Sequence, residues 1–256
     1  MGKIIAVANQ KGGCGKTTTC VNLSAVISSF GYKTLVIDMD PQANASIHFG
    51  VGIHRLELSM YDVLTSNTKI SNIITKTQLE NLEIAPSHIN LSGAEIELVN
   101  IIGRERALLE KVEEVKNDYD YIFIDCPPSL GLLTLNSLTT AQFVIIPLQT
   151  EFFALEGMDK LLKTVEIIKS KLNHELSIVA IVPTLYVEKT KLAQEALEKI
   201  FLYFKDSVTR TRIRRNVKLA EAPSHGIPIM LYAPKSYGAI DYERLGEEII
   251  AKLKKE

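Results

Sequence analysis

Apolar residues along the chain fall into two patterns that take turns. Near-continuous runs at Lys3–Ala8, Lys33–Asp38, Leu82–Pro86, Tyr121–Cys126, Phe143–Leu148 and Ser177–Pro183 read as strands buried on both faces. Between and after them, apolar positions recur three and four apart, as helices require. Leu155, Met158, Leu161, Leu162, Val165 and Ile168 form one such stripe; Ala193, Leu197, Ile200 and Phe204 form a second; Leu245, Ile249 and Leu253 form a third. The alternation predicts an α/β fold, a doubly wound and mostly parallel sheet with helices on both faces. No repeat, low-complexity tract or linker-like stretch interrupts it, so residues 1–256 are expected to form a single domain. Ligands of such sheets bind beyond the carboxyl ends of the strands. The polar residues gather there: Gly12–Thr18 after the first strand, Asp38 and Asp40 at the end of the second, Asp125 closing the fourth, and Thr184 after the sixth.

Composition narrows the classes. At 46% hydrophobic and 23% charged residues, the chain has too much apolar material for disorder to dominate. With 29 basic against 30 acidic side chains, net charge −1, it is no wholesale basic nucleic-acid binder, although a local basic face is allowed. The longest apolar run, near Phe143–Leu148, is too short to span a bilayer, and the start has no signal-peptide layout. Met1-Gly2 is followed by Ala6 where myristoylation wants Ser or Thr. Cys14, Cys20 and Cys126 show neither metal spacing nor a disulfide framework. A reduced, cytoplasmic protein is expected.

The strongest chemical signal is Lys11, Gly12, Gly13, Cys14, Gly15, Lys16, Thr17 and Thr18, a glycine-rich turn between the first strand and a helix starting near Gly15. A helix start offers unpaired N–H groups and a positive dipole end, both favourable to phosphate. The glycines are expected to let the backbone close round a phosphate where a Cβ would collide. Lys16 then neutralises β/γ oxygens and the Thr17 hydroxyl ligates Mg²⁺. Gln10 stands where the strict phosphate-loop motif has its first glycine, and Lys11 is an added cation.

This K-G-G-C-G-K-T-T run resembles the deviant Walker A loop of the ParA/MinD ATPases, a branch of the P-loop NTPases. Leu35–Gln42 (LVIDMDPQ) and Ile122–Ser129 (IFIDCPPS) look like the next two motifs of that family. Glu221–Pro228 (EAPSHGIP) and Lys235–Ala239 (KSYGA) resemble the C-terminal signature of the chromosomal, Soj-type ParA proteins. The resemblance runs from about Lys3 to Leu253. It implies one P-loop domain that hydrolyses ATP to ADP and dimerises face to face around two nucleotides.

The resemblance also implies roles. Lys16 and Mg²⁺ on Thr17 neutralise the transferring phosphate; Asp125, ending an apolar strand, suits a carboxylate that meets Mg²⁺ through a water, with a structural helix cap as the other reading of a carboxylate so placed. Asp38 and Asp40, two apart on an extended strand, are expected to point to one side. The family carboxylate matching Asp40 positions the attacking water and is taken here as catalytic and metal-associated, with Asp38 structural or in the metal shell. The lysine matching Lys11 reaches phosphates held by the partner subunit. Pro183, Thr184 and the stretch Ile213–Asn216, with Arg214 where the family often has Pro, are expected to flank adenine. The cysteines read as packing residues.

Arg210, Arg212, Arg214, Arg215 and Lys218 fall within nine residues that contain no acid. Charge alone leaves a solvated face as an open reading. Family positions matching Lys189 and Lys218 carry basic residues that hold dimers on double-stranded DNA without sequence preference, so Lys189, Arg215 and Lys218 are the expected DNA contacts. The leading expectation is a nucleoid-associated partition ATPase whose hydrolysis is stimulated by a ParB-type partner. A MinD-like membrane switch for division-site placement is the alternative; the last helix shows no further bulky apolar segment to enter lipid. A cluster-bearing reductase of the nitrogenase iron-protein kind would need two free cysteines, which this chain does not offer.

Overall fold

A computed structural model describes residues 2–151, 158–188 and 190–255. Leu155 of the first helical stripe and Lys189 of the expected DNA contacts lie outside the described residues. Seven strands form one sheet: β1 (Lys3–Val7), β2 (Thr34–Asp38), β3 (Thr75–Lys76), β4 (Leu82–Ala85), β5 (Tyr121–Asp125), β6 (Phe143–Gln149) and β7 (Ser177–Thr184). All six runs read from the sequence are present, each within one residue at either end. The order is β3-β4-β2-β5-β1-β6-β7, parallel throughout except that the short β3 pairs antiparallel with β4. Two residues are too few to show alternation, which is why the pattern of the sequence did not reveal β3. Thr184, expected just after its strand, is instead the last residue of β7.

Eleven α-helices are described: α1 (Lys16–Ser29), α2 (Asn44–His48), α3 (Met60–Thr65), α4 (Leu91–Glu97), α5 (Ala107–Glu113), α6 (Leu132–Thr140), α7 (Met158–Lys171), α8 (Lys191–Phe204), α9 (Val217–Glu221), α10 (Ile229–Tyr232) and α11 (Tyr237–Leu253). Side chains alternate across each strand, and the core divides accordingly. Ile4, Ala6, Leu35, Ile37, Ile122 and Ile124 pack into one layer with α6 and α7. Ile5, Val7, Val36 and Phe123 pack into the other with α1 and α11. The second layer is close enough that a Cβ on Gly246 of α11 would lie 2.6 Å from Val26 Cγ1 of α1.

The connections place the site. From β1 the chain passes through α1 to β2, on one side of β1; from β5 it passes through α6 to β6, on the other. Strand order therefore reverses beside β1 and β5, and the crevice beyond their carboxyl ends is where a doubly wound sheet binds ligands. The glycine turn follows β1, and Asp125 ends β5.

Candidate nucleotide site

The glycine turn is fixed at both ends. Asn9 donates through Nδ2 to the Pro147 carbonyl (2.6 Å), and its Oδ1 accepts the Lys11 N–H (3.0 Å). At the far end the Thr184 hydroxyl donates to the Cys14 carbonyl (2.7 Å), tying the turn to β7. Gly13 (φ 71°) and Gly15 (φ 92°) occupy the left-handed region that other residues enter at a cost. A Cβ on Gly12 or Gly13 would meet no protein atom within 4 Å. Among protein atoms, therefore, no crowding calls for glycine there; at Gly13 the backbone dihedral does. Gly15 caps α1 without a side-chain hydrogen bond, so the first N–H groups of α1 keep no side-chain acceptor.

A cavity of about 480 Å³ opens in front of this turn. Of the expected nucleotide residues it is lined by Gly12, Gly13, Gly15, Lys16, Thr17, Thr18, Thr184, Arg214 and Asn216, and Asp40 joins them. Lys16 is buried and donates to the Lys11 carbonyl (3.1 Å). Three expected residues stand back. The Cys14 side chain is buried, and its carbonyl serves the turn. Pro183 accepts the Ile213 N–H (2.8 Å) instead of lining the cavity. Lys11 points elsewhere: its ammonium pairs with Glu151 at 2.9 Å, with both side chains substantially exposed.

The three carboxylates differ sharply in surroundings. β2 stops at Asp38, so strand alternation does not extend to Asp40. Asp38 accepts from the Asp40 N–H (3.1 Å), the Ser46 N–H (2.9 Å) and the Ser46 hydroxyl (2.7 Å), which makes it the anchor of α2. Burial nevertheless pushes its carboxyl up to about 6. Asp40 reaches the cavity wall, accepts the Gln42 N–H (3.0 Å), and is raised by burial while Lys16 draws it down. Asp125 is fully buried, and among the described residues neither of its oxygens has a hydrogen-bond partner. Burial, then the Asp38 charge, push it well above the usual carboxylate range; the Thr17 side chain opposes the rise without forming an ordinary hydrogen bond. A buried carboxylate whose oxygens accept no hydrogen bond calls for a partner, and a hydrated cation held at Thr17 is such a partner. The residues present therefore fit Mg²⁺.

Away from the phosphate end the wall is apolar, with Ile213, Leu219 and Pro223. Arg214 is held there by Asp241, which accepts its N–H (3.0 Å), Nε (3.0 Å) and terminal nitrogen (2.6 Å), and its guanidinium covers the Tyr237 ring at 4.1 Å. Sequence reasoning missed Gln42, Asn44, His48 and Tyr242 in the lining. The α2 residues were within reach, since they follow Asp40 directly. Tyr242 was not: only packing of α11 on α1 brings its hydroxyl to Thr19 (3.1 Å). All three cysteines are buried, and burial raises each thiol, Cys126 to about 12, so they are packing residues with little thiolate character. Of the expected DNA contacts, Arg215 and Lys218 are exposed, and Lys218 pairs with Glu221 at 2.7 Å.

A family profile described as an AAA domain matches residues 2–178. The chain is 49% identical over 251 residues to the sporulation initiation inhibitor protein Soj of Bacillus subtilis, across 98% of this chain and 99% of that protein. It is 50% identical over 252 residues to the chromosome-partitioning ATPase Soj of Treponema pallidum, across 98% of each. Among solved structures, cobyrinic acid a,c-diamide synthase from Mycobacterium smegmatis with bound ADP and magnesium matches at a TM-score of 0.88 and 33% identity, across 99% of this chain and 96% of that one.

Proposed function

The chain belongs to the ParA/Soj family of chromosome-partitioning ATPases, and from that premise we propose that it is a DNA-partition switch driven by ATP. It is an ATPase, with ATP or ADP and Mg²⁺ as its ligands. The diamide synthase shares the fold and the bound nucleotide, and fold alone assigns no activity; identity is higher to the partition proteins.

In this reading residues 1–256 act as one unit. The N–H groups of the glycine turn and the ammonium of Lys16 hold the phosphates. Thr17 holds Mg²⁺ and Asp125 its hydration shell; the metal supplies charge neutralisation at the leaving phosphate. Asp40, on the wall beside Lys16, orients the attacking water. The apolar wall with Thr184, Arg214 and Asn216 takes the base.

The observation that carries the switch is the position of Lys11. It belongs to the phosphate turn, yet its ammonium stands outside the cavity on an exposed pair with Glu151. Exposed pairs contribute little, so the cation exchanges partners readily. In the reading proposed here it crosses to the phosphates of a second copy, coupling ATP to a homodimer. The dimer sets two basic faces side by side (Arg215 and Lys218, with Lys189 as the third expected contact) and so raises the effective concentration of each on double-stranded DNA. Hydrolysis, stimulated by a ParB-type protein, separates the copies and releases nucleoid DNA.

Size-exclusion chromatography with ATP and Mg²⁺, paired with DNA retention in ATP, ADP and no nucleotide, tests this. The parent is expected to dimerise and hold DNA only with ATP, and Lys11→Ala to stay monomeric with ATP bound. A Lys11→Ala protein that dimerises and turns over normally overturns the reading.

A further inference from the structure

The basic stretch is divided by its own backbone. Residues 208–214 run beside the end of β7, bridged at Ile181–Val208 and Tyr186–Arg214, with a bend at Arg210 between the bridges. Hydrogen bonds from Ile213 N–H to Pro183 O (2.8 Å), Tyr186 N–H to Ile213 O (3.0 Å) and Arg215 N–H to Tyr186 O (3.0 Å) hold it there. Ile213 goes into the core, while Arg210, Thr211, Arg212 and Arg214 all line one cavity of about 330 Å³. Asp241 and Arg244, three apart on α11 and hence on one helix face, complete it with Tyr186 and Glu188.

The charges in this cavity do not balance. Asp241 is spent on Arg214, whose backbone N–H and guanidinium it accepts. Glu248, nearby on α11, accepts the backbone N–H groups of Arg210 (2.8 Å) and Thr211 (2.9 Å). The Arg212 guanidinium covers the Tyr186 ring at 5.0 Å and donates to its hydroxyl (3.2 Å). Among the described residues, Arg210 and Arg244 have no ion pair. Three guanidinium groups therefore share one concavity with a single further carboxylate, Glu188. Lys218, by contrast, is already paired with Glu221, which also accepts from the Tyr232 hydroxyl (2.7 Å).

Converging guanidinium forks repel one another until an anion with several oxygens joins them, and their planar donors match phosphate. The cavity falls in the size range of organic ligands rather than of a lone tetrahedral ion, and Tyr186 adds an aromatic surface. We propose that the cavity of Arg210, Arg212 and Arg244 is a second phosphate-ester site, separate from the glycine turn and divided from it by the Arg214–Asp241 pair. Arg214 lines both cavities, so an occupant of the second touches a wall of the first. The inference goes beyond the partition reading and does not depend on it. The phosphate ester is either a free nucleotide or the backbone of a nucleic acid.

The test uses the full chain with its glycine turn filled, by saturating ADP and Mg²⁺ for the pyrophosphate arm and by a non-hydrolysable ATP analogue and Mg²⁺ for the duplex arm. Inorganic pyrophosphate is titrated by calorimetry and a labelled 20-base-pair duplex by fluorescence anisotropy, against the parent and an Arg210→Ala/Arg244→Ala variant. Both substituted side chains are exposed and outside the nucleotide cavity, so ATP turnover without DNA stays at the parental rate and serves as the folding control. Binding of at least one probe is expected to weaken tenfold or more. Loss with pyrophosphate points to a free ligand. Loss with the duplex alone, with the log–log salt slope shallower by about 0.9 per contact removed, points to nucleic acid. Weakening below tenfold for both probes, or no binding of either by the parent, overturns the site. Failure of ATP-dependent dimerisation would sink the partition reading and leave this result standing.

Discussion

Asp125 combines two features that oppose each other in the nucleotide-free protein. It is fully buried, and neither oxygen has a hydrogen-bond partner among the described residues. An ionised group in that position costs free energy until a cation arrives. Asp125→Asn is therefore expected to have opposite effects in two measurements. Without nucleotide, its melting temperature is at or above the parent's. With Mg²⁺-ADP at a hundred times its dissociation constant, the parent gains about 2.7 kcal/mol and the variant gains less, while its ATP turnover falls at least about a hundredfold. A variant that melts lower without ligand and keeps the full ligand gain would contradict the metal assignment. His48 makes a second test. Burial lowers its ring to about 4, from an ordinary value near 6.5, against a weaker backbone contribution from Ile227. A depressed pKa gives stability that is complete above the unfolded value and is lost as pH falls through the folded one. Relative to His48→Gln, the parent should lose stability between about pH 6.5 and 4, measured by urea unfolding across that range. Equal pH slopes would show that the ring is not held neutral.

The elements differ in how plainly the sequence displays them. The parallel strands are apolar on both faces and stand out, and α7, α8 and α11 carry clear stripes because one side of each meets solvent. α1 buries 11 of its 14 residues and so has no stripe; only the glycine turn before it marked its start. The phosphate end of the site was legible because its residues are neighbours in sequence. The wall was legible only in part: Arg214 was expected there, whereas Asp241, which holds it, and Tyr242 come from α11, far away in sequence. The contact of α1 with α11 gives the element-scale prediction. A Cβ at Gly246 meets Val26 Cγ1 at 2.6 Å, a short branched side chain with little room to move. Gly246→Ala is expected to destabilise by about 1–3 kcal/mol despite its better helix propensity. Val26→Ala in the same chain should restore part of the loss, a coupling that denaturant unfolding of the four proteins measures. Additive effects would mean that the helices are not pressed together at this point.

For the molecule as a whole, net charge −1 means that the attraction to DNA proposed above has to rest on local faces rather than on overall charge. ATP-bound protein should lose affinity for a mixed-sequence duplex steeply: about four phosphate contacts give roughly a hundredfold drop between 50 and 200 mM salt. Anisotropy titrations check this, and a flat salt response would rule out phosphate neutralisation as the binding force.

The two margins of the sheet have a bearing on assembly. On one side β3 is two residues long, antiparallel, and carries exposed Lys76. On the other, the backbone from Val208 to Arg214 lies against β7, with Thr209 N–H bonded to Ile181 O (2.9 Å). Neither flank leaves a long row of free amides as a template for another chain. Growth strand by strand into a continuous ribbon is thereby disfavoured, and in the dimer proposed above side chains and ligands are left to join the copies, contacts that can come apart again.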